Sequence, residues 1–310
     1  MRIGIMGTGN MGVSFLLSLR DPANEIRIVA SSPEKTRKQA RLWQVQAATP
    51  RTIARQCDLL LLTVPDDVLP TLRPPTALPT DAAHPCCVFH CSGALPVHIL
   101  EPWQNRGYCI GALHPLQSIH TPRNHAFRGT YFAVDGEPAA RKAGNRLVQQ
   151  LGGHSFYVPE AERAAYHAAA CFASNYVVTM AATAQELFRS WLRPEEAAQA
   201  LFPLLKGTVE NIKTAPLWRT ALTGPIARGD RTTLTRHLAV LPESLRPLYC
   251  EAGMKTAALA LRNGTICKEQ YEQIGSILAM AKGDYHEKNN QPDHSQNEKR
   301  RHSHFHDHRL

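Results

Sequence analysis

The sequence predicts an α/β protein in two parts: a doubly wound, mostly parallel sheet over residues 1–158, then an all-helical domain over residues 159–283. Three observations carry this expectation. The chain opens on a short apolar run that breaks into a glycine triad and then a helix-like stretch, Met1–Gly12 reading MRIGIMGTGNMG. Apolar segments of strand length then alternate with helical ones as far as Val158, the pattern of parallel strands joined by crossover helices. After Pro159 the chain turns alanine-rich, with almost no glycine or proline over Glu160–Trp191.

Taken in order, the first strand is Arg2–Met6, and Gly7-Thr8-Gly9-Asn10-Met11-Gly12 is a G-x-G-x-x-G leading into a helix from Val13. In that setting the motif is the dinucleotide-binding fingerprint of a Rossmann unit. Gly7 allows the tight turn, Gly9 lets the backbone approach a pyrophosphate, and Gly12 lets the helix pack close to the strand. The helix start offers free N–H groups and a positive dipole end to the phosphates. The competing reading is a glycine-rich turn that holds nothing.

Glu25–Ala30 is the second strand. An NAD-binding unit places Asp or Glu at its end to hold the ribose 2′-hydroxyl. Here stand Ser31 and Ser32, with Lys35, Arg37 and Lys38 just beyond. Hydroxyls and a cation accept a 2′-phosphate that a carboxylate repels, so NADP is expected, NAD being possible. Ser32-Pro33-Glu34-Lys35 also reads as the cap and first turn of a helix, and the two roles are compatible. Cys57–Pro65 is a continuously apolar strand, as in a parallel sheet buried on both faces. Ligands of such sheets lie beyond the carboxyl ends of the strands, so Val64 and Pro65 are expected beside the cofactor. A short helix follows from Val68, then a proline-rich surface connection over 74–85. Two strands, Pro85–Gly93 and Tyr108–Leu113, end in His90-Cys91-Ser92-Gly93 and His114-Pro115-Leu116-Gln117-Ser118. Ser92 is counted with the cofactor residues. Tyr131–Val134, a helix at Pro138–Leu151 and Ser155–Val158 complete the sheet.

The second domain reads as helices at Glu160–Trp191, Glu195–Leu205, Gly207–Ile212, Leu234–Leu241, Pro247–Leu261 and Lys268–Ala281. Residues 284–310 are polar, with no apolar periodicity, and read as a disordered His-rich tail. Its alternate His302, His304, His306 and His308 are suited to loose metal binding, or to nothing more than a solvated tail. No apolar run reaches a membrane span and the start lacks a signal-peptide pattern, so the cytoplasm is expected. Eight cysteines without a C-x-x-C pair read as reduced, mostly buried thiols, the adjacent Cys86-Cys87 as a buried edge pair. The net charge of +9 is scattered rather than gathered into a stripe. It points to an anionic cofactor and a small anionic substrate rather than to nucleic acid.

Hydride transfer needs a proton donor or acceptor near the substrate heteroatom. His114 is the first candidate, a titratable side chain at a strand end, with Gln117 and Ser118 beside it to hold substrate. His90 reads better as a buried strand-end histidine. His167, Cys171 and Asn175 fall at i, i+4 and i+8 on one stripe of the first long helix and need partners there, either substrate or neighbouring helices. Arg228 is able to pair a substrate carboxylate or Asp230.

The segments IGIMGTGNMG, LLLLTVPDD, FHCSGAL, GALHPLQS, YHAAACFASNYVVT, KGTVEN and ALTGPIARGD resemble a bacterial family of Rossmann-like oxidoreductases whose C-terminal half is domain of unknown function 2520. More distantly the chain is similar to the 6-phosphogluconate dehydrogenase-like superfamily. That resemblance implies an NADP-binding domain, a helical domain that forms a homodimer, and a site between them. Prephenate dehydrogenases carry a catalytic His-Pro after the corresponding strand, matched by His114-Pro115. β-Hydroxyacid dehydrogenases and ketopantoate reductases use Lys-x-x-x-Asn on the first helix of the second domain. Here Asn175 is present but Cys171 stands where the lysine would be, so the lysine mechanism does not carry over and His114 or His167 must supply the proton. The expected function is an NADP-dependent oxidoreductase acting on a small carbonyl, imine or hydroxy acid. Ketopantoate reduction is the specific alternative, and a non-catalytic NADP-sensing dimer the alternative of another class.

Overall fold

The computed structural model describes residues 1–74 and 86–290. The proline-rich connection, beyond Pro74, and the alternating histidines of the tail lie outside the described residues. Eight strands form one sheet in the order β3-β2-β1-β4-β5-β6-β7-β8. They are β1 (Arg2–Met6), β2 (Glu25–Val29), β3 (Gln46–Ala47), β4 (Leu59–Leu62), β5 (Cys87–His90), β6 (Cys109–Pro115), β7 (Tyr131–Gly136) and β8 (His154–Phe156). Every neighbouring pair is parallel except β6 with β7. The helices are α1 (Asn10–Ser18), α2 (Pro33–Trp43), α3 (Glu101–Gln104), α4 (Pro138–Gln150), α5 (Arg163–Ala173), α6 (Asn175–Leu187), α7 (Pro194–Thr214), α8 (Arg231–Val240), α9 (Arg246–Arg262) and α10 (Lys268–Asn290).

The sheet is buried on both faces, as the unbroken Leu59–Leu62 run requires. Leu59 and Leu61 pack with Phe15, Phe127 and Leu147 on one side, and Leu60 and Leu62 pack with Trp103 and Tyr108 on the other. Cys86 and Cys87 are buried, but β5 lies between β4 and β6, inside the sheet rather than at its edge.

The chain divides into two compact units, Met1–Ala182 and Thr183 onward. The first therefore takes in α5 and the start of α6 as well as the sheet. The second has its own core of Leu234, Leu238, Cys250, Ala257, Ile274 and Leu278 from α8, α9 and α10. Four local expectations are corrected. The segment from Val68 forms only a 3-10 turn at Leu69–Thr71 with Pro70 inside it. Glu160–Trp191 is not one helix, because Ser174 leaves helical geometry (φ −129°, ψ −72°) between α5 and α6. Glu195–Leu205 and Gly207–Ile212 are one helix, α7, which runs through Pro203. Helix α10 continues to Asn290, past the expected start of the tail. Among the described residues no helix is long and apolar enough to cross a membrane.

Candidate active site

The carboxyl ends of β1, β4, β5 and β6 share one edge of the sheet, and the predicted site residues of the first unit gather there. Gly7 follows β1 with φ +112° and donates its N–H to the Val29 carbonyl at 2.8 Å. A β-carbon at Gly7 would lie 2.6 Å from the Thr63 carbonyl oxygen, while the Thr63 hydroxyl donates to the Gly7 carbonyl at 2.8 Å. The turn is thus clamped to the end of β4. At Gly12 a β-carbon would strike the same Gly7 carbonyl and Thr63 hydroxyl. At Gly9 it would meet nothing within 4 Å. Gly9 caps α1 with extended backbone and no side-chain acceptor, which leaves the helix's first N–H groups without a side-chain cap. That open, uncapped cradle fits a pyrophosphate, and the three glycines divide the work as the motif implies.

Thr8 and Met11 are half-buried beside the cradle. Asn10 donates from Nδ2 to the His120 carbonyl at 2.7 Å, fastening the segment after β6 to the fingerprint loop. Ser31, Ser32 and Lys35 are exposed at the end of β2. Ser32 caps α2, accepting from the Lys35 N–H at 3.1 Å, so its capping role is realised and its surface stays accessible. Val64 is half-buried and Pro65 exposed after β4. Ser92 is buried, and its hydroxyl donates to Asp66 at 2.7 Å and accepts from the N–H groups of Ala94 and Leu95 at 3.2 and 3.1 Å. It stitches the loop after β5 to the loop after β4.

His114, at the end of β6, has its Nδ1 2.7 Å from the Tyr166 hydroxyl on α5. The two rings meet edge-on at 5.5 Å, and the His167 ring packs against His114 at 5.8 Å. Gly93 makes this approach possible. A β-carbon there would lie 2.5 Å from His167 Nδ1 and 2.9 Å from His114 Nε2. Arg163, one turn before His167 on α5, is 1% exposed. It donates from Nε to the Leu95 carbonyl at 2.8 Å and from Nη2 to the Ser92 carbonyl at 3.1 Å. Its Nη1 and His167 Nδ1 are buried without a hydrogen-bond partner. Burial, with His167 and the Arg163 guanidinium close by, pushes the His114 imidazole down to about 4. Burial pushes the Tyr166 phenol up to about 12.

His90 lies fully buried on β5. Neither ring nitrogen makes a well-formed hydrogen bond, although the Pro96 backbone lies near enough to favour its charged form slightly; burial dominates and pushes it down to about 3. Cys171 follows His167 on α5, but Asn175 begins α6 beyond the break at Ser174 and is exposed. The expected unbroken stripe of His167, Cys171 and Asn175 is therefore interrupted. Gln117 reaches the Ala126 carbonyl and the Thr130 hydroxyl at 3.4 Å and accepts from the Ser118 N–H at 3.0 Å; Ser118 is exposed. Arg228 is exposed at the end of a 3-10 turn in the second unit. Asp230 caps α8 through Thr233, and among the described residues no ion pair joins the two. Gly93, Arg163 and Tyr166 join the site although the sequence alone assigns none of them a role. Arg163, Tyr166 and His167 are the polar positions of an alanine-rich helix, and that contrast is the signal that marks two of the three.

A Rossmann-like domain model matches residues 1–115, and the model "Domain of unknown function (DUF2520)" matches residues 130–256. The ketol-acid reductoisomerase (NADP(+)) of Mycobacterium leprae is 31% identical over 86 residues, 25% of this chain and 26% of that protein. The match thus spans about a quarter of that relative's length. Among solved structures, a Bacteroides fragilis protein assigned as an NADP oxidoreductase superposes with a TM-score of 0.64 at 19% identity, covering 83% of this chain and 98% of its own. The pyrroline carboxylate reductase of Plasmodium falciparum, with NADP bound, superposes with a TM-score of 0.55 at 15% identity, covering 89% and 98%. These likenesses show the fold.

Proposed function

We propose that this chain, a Rossmann-like domain followed by the domain of unknown function DUF2520, is an NADP-dependent oxidoreductase that moves a hydride between the nicotinamide and a small anionic carbonyl, imine or hydroxy acid. One observation carries the reading. An open, uncapped glycine cradle follows β1, and His114 stands at the end of β6 on the same sheet edge, in a half-buried cluster with Tyr166 and His167 of α5. A cradle alone would bind a nucleotide; a proton-bearing cluster beside it gives that nucleotide something to do.

The cofactor, when bound, supplies or takes the hydride. The chain does the rest. Gly7, Gly9, Gly12 and the start of α1 hold the pyrophosphate, with Thr8, Asn10 and Met11 lining the loop. Ser31, Ser32 and Lys35 receive the 2′-phosphate. Val64, Pro65 and the loop ordered by Ser92 border the nicotinamide side. His114 is the centre of proton exchange, with His167 against it. Asn175, Gln117 and Ser118 are the residues the first unit offers to the substrate. The names of the relatives, a ketol-acid reductoisomerase and a pyrroline carboxylate reductase, specify small carboxylic acids, which suits a chain of net charge +9. Ketopantoate is the specific carbonyl candidate, and the cytoplasm the compartment.

A homodimer completes the proposal. Helix α7 has 21 residues, of which Ala197 alone is buried. Phe202, Leu204 and Val209 on it are each more than half exposed. Most of a helix's stability in a protein comes from packing its apolar face, and a second copy of the chain is the cover we assign. Sedimentation equilibrium should return twice the 34.4 kDa chain mass.

The test begins with fluorescence titration of NADPH and NADH. Absorbance assays follow with ketopantoate, 1-pyrroline-5-carboxylate and simple 2-oxo acids. Loss of both binding signals ends the reading. Tight binding without turnover anywhere in the panel favours the sensing dimer instead.

A further inference from the structure

We infer that the proton reaching the substrate leaves from the Tyr166 hydroxyl, and that His114 acts behind it as a neutral imidazole that resupplies it. The inference rests on the oxidoreductase reading above and refines it by naming the donor.

The geometry of the pair is the starting point. Tyr166 is fixed at both ends: its hydroxyl lies 2.7 Å from His114 Nδ1, and its ring packs edge-on against Phe156 at 5.8 Å. Among the described residues His114 has no carboxylate against its ring. The titratable and charged groups around it are Tyr166, Arg163 and His167 from α5 and the buried His90 from β5. A catalytic histidine that works as an imidazolium is usually steadied by an acid on its second nitrogen. Here that side of the ring faces Gly93 and His167, and the nearest full charge is a buried guanidinium. Burial, His167 and the Arg163 guanidinium all disfavour a second proton on the ring. The depressed imidazole and the raised phenol agree with this: in neutral solution the phenol holds its proton and the imidazole has no extra one to give.

In the reductive direction the substrate carbon gains the hydride and is reduced as the dinucleotide is oxidised. The Tyr166 O–H bond breaks as an O–H or N–H bond forms at the substrate heteroatom. The phenolate then takes the Nδ1 proton of His114 while Nε2 takes a solvent proton, so the ring changes tautomer and stays uncharged, and one solvent proton is consumed for each hydride delivered. The oxidative direction reverses each transfer.

The experiment uses the full chain. Nitrogen-15 NMR of histidine-labelled protein without cofactor reads the His114 ring directly, for wild type, Tyr166→Phe and His114→Asn. Phenylalanine keeps the packing against Phe156 and removes only the hydroxyl. The inference expects a neutral His114 ring at neutral pH and an Nδ1 signal that moves in Tyr166→Phe. It also expects NADPH affinity within about threefold of wild type, with turnover of the panel substrate down by roughly 10²–10⁴-fold. An imidazolium at neutral pH, or Tyr166→Phe turnover within about threefold of wild type, overturns it. Failure of the wild type to bind either NADPH or NADH overturns the oxidoreductase reading itself, and the two failures are told apart by the binding titration.

Discussion

A β-carbon on Gly93 would lie 2.5 Å from Nδ1 of His167, so the loop after β5 and the helix α5 meet with no room for one added methyl. The φ of Gly93 is outside the left-handed range. Its requirement is therefore space, not backbone freedom. Gly93→Ala should displace the His114 and His167 rings together, because His114 Nε2 is 2.9 Å from the same point. Overpacking of this kind costs ~1–3 kcal/mol, and a misplacement of ~1 Å can cost ~10²-fold in rate. NADPH binding, made at the Gly7–Gly12 turn, should stay near wild type. Urea unfolding, NADPH titration and turnover on one sample separate these effects; equal turnover in the variant would remove the steric argument.

Arg163 makes a second, distinct prediction. It is a buried cation that donates to two carbonyls, those of Leu95 and Ser92. Arg163→Met removes a desolvated charge but leaves both carbonyls unsatisfied, at ~1–3 kcal/mol each. The expected net result is destabilisation together with a rise in the His114 pKa, since the guanidinium is one of the charges that depress it. Arg163→Lys keeps the charge and loses the fork, so it should leave the His114 titration nearly unmoved. A His114 pKa that falls in the methionine variant contradicts the assignment.

Ser32 allows cofactor choice to be tested apart from folding. Its side chain caps α2, and Asp caps a helix as well as Ser does. Ser32→Asp should leave the melting temperature close to wild type. A carboxylate at the end of β2 should repel a 2′-phosphate and accept a 2′-hydroxyl. NADPH affinity is expected to fall by ~10-fold or more, the equivalent of ~1.4 kcal/mol, and NADH affinity to rise. Parallel titrations of the two nucleotides check this, and an unchanged ratio would mean that Ser32 is a cap and nothing else.

The parts of this site that are legible in sequence are those set by local chemistry. The Gly7 turn needs a positive φ and Ser32 needs only its own helix, so both can be read from a few residues. Leu59–Leu62 announces a strand buried on two faces. The remainder depends on contacts between distant segments. Nothing near Gly93 reveals that His114 and His167 will close on it, and nothing near Arg163 reveals the Ser92 and Leu95 carbonyls. β3 is two exposed residues without an apolar pattern. The break at Ser174 has no glycine or proline to mark it, while Pro203, which ordinarily marks a break, lies inside α7. Punctuation rules therefore fail in both directions in the helical part, where packing decides.

Acid stability follows from two desolvated imidazoles, His90 fully buried and His114 half-buried. Burial holds His90 at about 3 and His114 at about 4, both below the unfolded value of ~6.5. Above ~6.5 both folded and unfolded states are neutral at these sites, and their contribution to stability is intact. As pH falls below that value the unfolded chain takes up protons that the folded chain refuses, so stability declines. The decline from His114 ends near its folded pKa of about 4, and that from His90 continues to about 3. Each tenfold difference in proton affinity between the unfolded and folded chain is worth ~1.4 kcal/mol, so the two groups together make an acid limb of at most ~8 kcal/mol, ~5 kcal/mol of it above pH ~4.5. Asp58, held low by Arg2, and Asp230, held low by Thr233, act in the same direction but only nearer their own lower range. The limb between pH ~6.5 and ~4.5 therefore belongs to imidazoles. His90→Leu fills the same buried position without a titrating group, and should flatten that limb while leaving stability near neutral pH little changed. Urea midpoints across this range for wild type and variant read the difference, and identical slopes would show that His90 takes no part.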